Sequence, residues 1–499
     1  MVKTKTSSEG EVREKNAMND NEKVALFLDL ETKHSLTERR IADVPYWSMV
    51  RYTLFFVLSA GETYLKSTHP DTVISKKSIL RNGFSVLKYA LHHLLHFVLP
   101  EADVLFMLCP RKIQSERGPI AVMLDFFCDE LGSSFCIFEK PMRYRHTPYR
   151  IKRNLLYSDY FEIKRVLYSK LRIGEKEVRK AASAGEFAFL EDFNKAFGSN
   201  VTEEWLIRKV CFSVSTYKAC FQSFRSLLRR MKTKCVVHVV AYEQENQIMT
   251  LAAHSLNIPV IELQHGIING LHIAYNYKST DSSIQPDKTL TWGEFWTRDI
   301  INSRSGTFLP CGYPFFENMV ENRKSSKSGK NILIVSQGPF TDHMISIAVK
   351  LHELLAEHGY RIIFKLHPNQ CATWRENYPL LAEFENKMEI VDDPQKGIYA
   401  CFDESSIQIG ISSTALLEGL AWDLQTFILD YRTCDYMEYL YKNGYAFLVK
   451  DEKEIAEKIL SGQQANIPPE DLFWTKRAKQ NIICAIQQEI KNGRQEQQE

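Results

Sequence analysis

Short apolar runs alternate along this chain with stretches whose apolar residues recur at three- and four-residue spacing, the pattern of buried strands exchanging with amphipathic helices. Asp103–Cys109 and Phe135–Phe138 are the first two such runs, with a helix expected over about Ile120–Leu131 between them. Cys235–Ala241, Val260–Leu263, Thr289–Thr291 and Thr307–Leu309 continue the series, with a helix expected around Ile248–Ser255. Strand, helix, strand is the rhythm of a parallel sheet, so the expected fold class is α/β. Glu321–Lys330 (ENRKSSKSGK) carries no apolar pattern and reads as an exposed linker. Beyond it come strand Ile332–Val335, a helix over about His343–His358 capped by Gly359, and strand Arg361–Leu366. Strands at Ile407–Ile409 and Thr426–Leu429 then flank a helix starting near Ser412.

Helical segments surround this alternation. Residues 1–21 form a polar leader, expected to be disordered, and residues 22–60 read as a helical N-terminal cap in which Trp47, Val50, Arg51, Leu54 and Leu58 share one face. A long helical insertion is expected over about 141–232, and a last helix lines up Trp474, Ala478, Ile482, Ala485, Ile486 and Ile490. The pattern divides the chain into an N-terminal domain over 22–320, the linker at 321–330 and a C-terminal domain over 331–499.

Composition narrows the function classes. With 499 residues, 44% hydrophobic, the chain suffices for two or three domains with their own cores. A formal charge of +2 gives the molecule as a whole no pull toward nucleic acid. Eleven cysteines are scattered singly without CxxC pairs or zinc spacing, which suits a reducing compartment. The leader lacks the apolar core of a secretory signal, so a cytoplasmic location is expected. The runs Tyr52–Ala60 and Leu87–Leu99, the latter broken by His92, His93 and His96, fall short of the roughly 20 apolar residues that span a bilayer and read as buried helices. Pro141–Lys180 departs from the average, with twelve Lys/Arg against four Asp/Glu interleaved with Tyr144, Tyr149, Tyr157, Tyr160 and Tyr168. Such a stretch suits an anionic membrane surface or a lipid-pyrophosphate acceptor, and equally a solvated helical face.

Candidate chemistry sits just after strands, where open parallel sheets bind ligands. His367-Pro368 ends a strand carrying Lys365; the proline stiffens the exit, and the imidazole can donate to a phosphate oxygen or merely cap the strand. In Gly410–Gly419 (GISSTALLEG), Ser412, Ser413 and Thr414 lie where a strand hands over to a helix and can present N–H groups to an anion. Glu418, one turn further, can accept the hydroxyls of a ribose; otherwise it is the solvent-facing glutamate of an ordinary capped helix. Gln264-His265-Gly266 ends a strand of the first domain. His265 is a candidate general base for an acceptor hydroxyl, Glu243 and Glu245 compete for that role, and a purely structural histidine is the alternative. Gly266 is expected to permit a close backbone approach.

Taken in order, strand-QHG, TWG, CGYP, linker, strand-KLHP, GxSSTxxxEG and a terminal helix resemble bacterial surface-polysaccharide glycosyltransferases of the GT-B fold. The resemblance covers roughly residues 235–490 and touches Val44-Pro-Tyr-Trp47 with Arg51, which looks like the helical entry of capsule and O-antigen transferases. Teichoic acid glycerophosphotransferases and capsular sialyl- and Kdo-transferases are similar in plan. The resemblance implies two Rossmann-like domains facing across a cleft, with a nucleotide-sugar donor held by His367, Lys365, Ser412, Ser413, Thr414 and Glu418. The acceptor it implies is a glycan or lipid-linked glycan, handled at the inner face of the plasma membrane. No cofactor or metal is expected, and Asp392-Asp393 before Pro394 is not placed as a metal pair. Gln264 stands where the glycerophosphotransferases carry tryptophan. A CDP-polyol phosphotransferase and a sugar-nucleotide epimerase are the other activities compatible with this plan.

Overall fold

The computed structural model describes residues 18–68, 87–91, 99–108, 112–115, 118–141, 146, 155–278, 283–302, 307–324, 329–393, 396–469 and 471–496. The leader up to residue 17 and much of the basic stretch, including Arg143, Arg145, Lys152 and Arg153, lie outside them.

Two parallel sheets make up the α/β fold. The first contains β1 (Val104–Leu108), β2 (Phe135–Glu139), β3 (Leu155–Tyr157), β4 (Cys235–Val239), β5 (Val260–Leu263), β6 (Lys288–Thr291) and β7 (Phe308–Pro310), in the order β3-β2-β1-β4-β5-β6-β7. The second contains β8 (Asn331–Val335), β9 (Arg361–Lys365), β10 (Glu389–Val391), β11 (Ile407–Gly410), β12 (Gln425–Leu429) and β13 (Phe447–Val449), in the order β10-β9-β8-β11-β12-β13. Every pairing in both sheets is parallel. Helices cover such sheets on both faces, which is why their strands read as nearly continuous apolar runs. In each sheet the order reverses beside the first strand, between β1 and β4 and between β8 and β11. That is the doubly wound arrangement, and its ligand crevice opens at the carboxyl ends of the strands flanking the reversal.

The chain divides into two compact units, one comprising Val24–Glu321 with Glu470–Glu499, the other Asn322–Pro469 with Met1–Lys23. The final helix is therefore not part of the second unit, where a boundary at 331–499 had put it. It belongs with the first because its apolar stripe, Ile482, Ile483, Ile486 and Ile490, shares a core with Leu124, Phe127, Leu131, Val237 and Ile261. The same packing explains a second difference. Of the residues expected to be helical over 120–131, Ile120 ends a short strand, Gly118–Ile120, and the rest form turns and a 3-10 segment, Cys128–Glu130, because the final helix covers that part of the sheet.

Helices α1 (Asp20–Lys33) and α2 (Tyr46–Thr68) open the chain. α1 starts two residues earlier than its apolar spacing suggests, because Asn19 and Glu22 exchange hydrogen bonds in a capping box, 2.9 Å each way. α2 is interrupted at Gly61, whose φ of 76° is open to glycine. The basic insertion forms α3 (Asp159–Lys170), α4 (Glu175–Ser183), α5 (Leu190–Phe197) and the long α6 (Glu203–Met231). The cap and the insertion build one helical core, with Phe27, Trp47, Leu54, Phe193, Leu206 and Val210 packed together. α6 and α7 (Gln244–His254) then cover one face of the first sheet through Phe224, Leu228, Ile248 and Met249. α8 (Pro314–Glu321) ends the alternation of this unit, whose final helix, Ala478–Glu496, returns from the end of the chain. In the second unit, α9 (Thr341–Leu355) follows β8 and α10 (Thr414–Leu420) follows β11.

Candidate functional site

Each unit carries a cluster of polar side chains at the carboxyl edge of its sheet. In the first unit the loops after β4 and β5 bring Tyr242 to His265, whose Nε2 lies 3.2 Å from the phenol oxygen. Burial raises the Tyr242 pKa well above its ordinary value, so the phenol stays protonated. Its ring packs against Tyr52 at 4.9 Å and His272 at 5.3 Å between centroids. His272 is half-buried, and desolvation pushes its pKa down to about 4, a neutral imidazole under ordinary conditions. Gly266 does not show the expected crowding: a Cβ there would meet nothing within 4 Å, and its φ is not positive.

Gln264 explains the residue before His265. Its side chain accepts from the Trp292 N–H at 2.6 Å and donates to the Gly266 carbonyl at 2.8 Å, locking the β5 exit to the β6 exit. The other two motif glycines are also structural. A Cβ at Gly293 would lie 2.6 Å from the Phe473 carbonyl, and one at Gly312 would lie 2.1 Å from that of Thr475. TWG and CGYP thus admit the returning chain just before the final helix.

Glu243 and Glu245 both reach Lys140, at 2.9 and 3.0 Å. Arg165 adds a second cation 3.5 Å from Glu245. Burial would raise the Glu245 pKa, but Lys140 and Arg165 outweigh it and hold the carboxylate below its ordinary range. Glu162 in the same cluster is pushed up to about 7 by burial and by Glu245 beside it. A second buried set lies nearby on β2 and its neighbours, where Lys112 pairs with Glu139 at 2.9 Å and His146 bridges Glu139 and Asp159 at 3.3 and 2.7 Å.

The carboxyl of Glu262, at the centre of β5, was not singled out by its motif. It is buried and accepts from the Ala241 N–H and the Tyr275 hydroxyl, both at 2.9 Å, and from Thr289 at 3.4 Å. Burial outweighs these donors and pushes its pKa up to about 7. The signal was present: a glutamate inside an apolar run is a buried charge until shown otherwise. Arg51 is equally buried. It pairs with Glu31 through Nε at 2.7 Å and Nη2 at 3.1 Å, donates to the carbonyls of Ile273 and Asn276, and lies over the Tyr277 ring at 4.1 Å. Trp47 donates to the same carboxylate at 2.5 Å. The Trp47/Arg51 entry motif therefore ties the N-terminal cap to the segment after β5.

In the second unit four consecutive strands, β9, β8, β11 and β12, send loops to one edge. Gln337, after β8, accepts from the Ser412 N–H at 2.9 Å and donates to its hydroxyl at 3.2 Å. Ser412 Oγ in turn lies 2.7 Å from Thr433 Oγ1, after β12. Ser413 caps α10, accepting from the Ala415 N–H at 3.3 Å, and Thr414 is the first helical residue. Two of the groups expected to face an anion are thus engaged within the chain, the Ser412 N–H and the Ser413 hydroxyl. Glu418 is half-buried on α10. At the β9 exit, His367 is exposed and its Nδ1 accepts from the Asn369 N–H at 3.3 Å, which selects the tautomer with a proton on Nε2. Gln370 braces this loop, accepting from Ser336 at 3.0 Å and from the His367 N–H at 2.9 Å. Lys365 is 8% exposed, and its ammonium has no carboxylate or hydrogen-bond partner among the described residues. His343 and Tyr431 stack at 4.1 Å beside the same edge.

The sequence-derived candidates therefore fall into two groups, His265, Glu243 and Glu245 in the first unit and Lys365, His367, Ser412, Ser413, Thr414 and Glu418 in the second. Tyr242, Glu262, Gln337 and Thr433 join them only through the fold, since their partners lie far away in sequence, while Gln370 reaches His367 locally and Ser336 only through the fold.

No protein-family model matches the chain, and no curated protein does. Among solved structures, the chain is similar to the UDP-GlcNAc 2-epimerase from Methanocaldococcus jannaschii, at 11% identity over 77% of this chain and 99% of that one, with a TM-score of 0.47. It is also similar to the glycosyltransferase SnogD from Streptomyces nogalater, at 12% identity over 79% of this chain and 95% of that one, TM-score 0.38. A third is the wall teichoic acid polymerase TagF, at 13% identity over 89% and 98% of the two chains, TM-score 0.41. Likenesses at these scores carry no residue's role across to this chain.

Proposed function

We propose that this chain is a glycosyltransferase that binds a nucleotide sugar at the second unit and transfers its sugar to a glycan or lipid-linked glycan handled by the first. The observation that carries the proposal is Lys365. The residue is 8% exposed, and its ammonium, at the carboxyl end of β9 one strand from the sheet's reversal, has no carboxylate or hydrogen-bond partner among the described residues and can pair with an arriving anion. His367, with its proton on Nε2, adds a neutral donor to the same edge, and the pair suits the phosphates of an activated sugar. Glu418 is the candidate for the ribose hydroxyls, and Ser412, Ser413 and Thr414 shape the loop beside it.

In the proposed reaction the acceptor hydroxyl gives its proton to His265 as its oxygen bonds the anomeric carbon. The bond from that carbon to the phosphate oxygen breaks, and the nucleotide leaves with the electron pair, its charge stabilised by Lys365 and His367 without a metal ion. Tyr242, a permanent hydroxyl, orients the His265 ring. Glu245 is a poor base because two cations hold it ionised, and Glu243 shares one of them. The order of motifs described above is what suggests a surface polysaccharide as the acceptor.

The deciding experiment pairs calorimetry over a panel of nucleotides and nucleotide sugars with analysis of the released product. Sugar transfer releases the nucleotide whole, whereas release of CMP from a CDP-polyol would replace this proposal with polyol-phosphate transfer. Interconversion of a nucleotide sugar without acceptor would establish an epimerase instead.

A lipid-linked acceptor would bring the chain to a membrane surface, and no helix among the described residues is long and apolar enough to cross one. On α3 and just past it, Ile163, Val166, Leu167 and Leu171 are 40 to 62% exposed beside Lys170 and Arg172. Apolar residues on one face with cations around them suit an anionic interface. Co-sedimentation with phosphatidylserine vesicles should weaken as salt shortens the Debye length. Absence of binding at low salt ends this part of the proposal.

A further inference from the structure

The first unit contains a pocket of about 410 Å3 of empty space, part of it open to solvent, that borders Tyr242, Gln247, Glu262, Tyr275, Tyr277 and Thr289. Its enclosed part is narrow, with room for a few water-sized groups. Two acceptors face it. The Gln247 amide is 3% exposed, and its Nε2 donates to the Ser48 carbonyl at 3.0 Å, which fixes the orientation of the amide. That leaves Gln247 Oε1 buried without a partner among the described residues. Glu262 concentrates its two short hydrogen bonds on Oε1, while Oε2 has Thr289 at 3.4 Å. Buried acceptors without donors are uncommon in folded chains, and each asks for a ligand or an ordered water.

The ligand class follows from the lining. Phosphate is excluded, because an anion would meet a carboxyl and an amide oxygen. An ammonium ion would suit a carboxylate, but burial holds Glu262 largely uncharged below neutrality. Neutral hydroxyl groups satisfy both acceptors, and a protonated Glu262 can donate back to them. The phenol rings of Tyr242, Tyr275 and Tyr277 give the pocket apolar faces for C–H groups. We propose that this pocket binds the vicinal hydroxyl groups of a neutral polyol or sugar, and that it is the acceptor subsite of the activity proposed above, on which this assignment rests. Tyr242 links the two, since it borders the pocket and touches His265.

The test uses the full chain with glycerol, glucose and glucosamine as probes, observed by saturation-transfer NMR and calorimetry. Glycerol or glucose should bind saturably. Glu262→Gln should weaken that binding at least tenfold. Ala274→Leu, which adds bulk to a lining position without touching a polar group, should abolish it. Nucleotide affinity, measured alongside, should be unchanged in both variants, and circular dichroism reports whether each is folded. Absence of saturable binding to the folded wild-type chain overturns the assignment and leaves a hydrated cavity. Unaltered binding in folded Ala274→Leu, or preference for glucosamine over glucose, overturns it as well. Sugar transfer without any polyol binding would remove the subsite and leave the activity standing, whereas polyol binding without nucleotide binding would do the reverse.

Discussion

The two sheets share one winding order, yet the carboxyl edges of the two units treat charge in opposite ways. In the first unit charges are matched internally: the buried side chains of Arg51 with Glu31 and Lys112 with Glu139, and the half-buried Lys140 with Glu243 and Glu245. What remains open there is a set of uncharged acceptors around Glu262. At the corresponding edge of the second unit Lys365 is buried and unmatched among the described residues. The strand order sets where a ligand can sit, and the matching of charges decides which kind. An edge with its charges paired has nothing to attract an anion, whereas one with a lone ammonium has every reason to.

The largest expected effect tests whether pairing in the first unit is structural. Glu31→Ala leaves Arg51 buried without its carboxylate and should cost about 3–5 kcal/mol in denaturant unfolding. A cost below about 1 kcal/mol would mean that the pair is solvated in solution and that the contrast between the units is overstated. Next comes the chemistry. His265→Ala should lower transfer by roughly 10² to 10⁴ while leaving nucleotide affinity intact, because the base acts on the acceptor and not on the donor. Lost nucleotide affinity in that variant would move His265 to the donor side.

Glu262 sharpens the comparison through pH. Its pKa of about 7 exceeds that of an unfolded glutamate, so between about pH 4.3 and 7 the folded chain keeps a proton that the unfolded chain has released. Stability should therefore fall as pH rises through that window, by roughly 3 kcal/mol from this group, and level off above it. Glu262→Gln should flatten the fall, and an unchanged profile of unfolding free energy against pH would show that the carboxyl is not held neutral. The smallest effect concerns Lys365. Lys365→Met should weaken nucleotide binding tenfold to a hundredfold, the roughly 1.5–3 kcal/mol of one charge-assisted hydrogen bond. Stability should hold, since Lys365 has no carboxylate partner among the described residues to lose. Loss of stability with full nucleotide affinity would show that Lys365 has a structural partner.

Much of the fold was legible in the chain. The apolar runs at 103–109, 235–241, 332–335 and 361–366 mark strands because parallel strands are covered on both faces. The edge strands β3, β10 and β13, three residues each, were not foreseen, whereas the equally short edge strand β7 was marked by the run Thr307–Leu309. The helix expected over 120–131 failed for a different reason: its apolar residues serve a helix that arrives from the far end of the chain. Site residues divide in the same way. His265, His367 and Ser412 stand out because each follows a strand, whereas Gln337 matters only because β8 and β11 are neighbours.

By itself the sequence determined the α/β alternation and the residues at strand exits, both of which depend on neighbours along the chain. Only the tertiary structure decided which buried charges find partners. It pairs Arg51 with Glu31 and Lys112 with Glu139, leaves Lys365 without a carboxylate among the described residues, and brings Glu262 and Gln247 to one pocket. The reason is physical: the free energy of a buried charge or acceptor depends on atoms within a few ångströms, and those atoms come from strands and loops far apart in sequence.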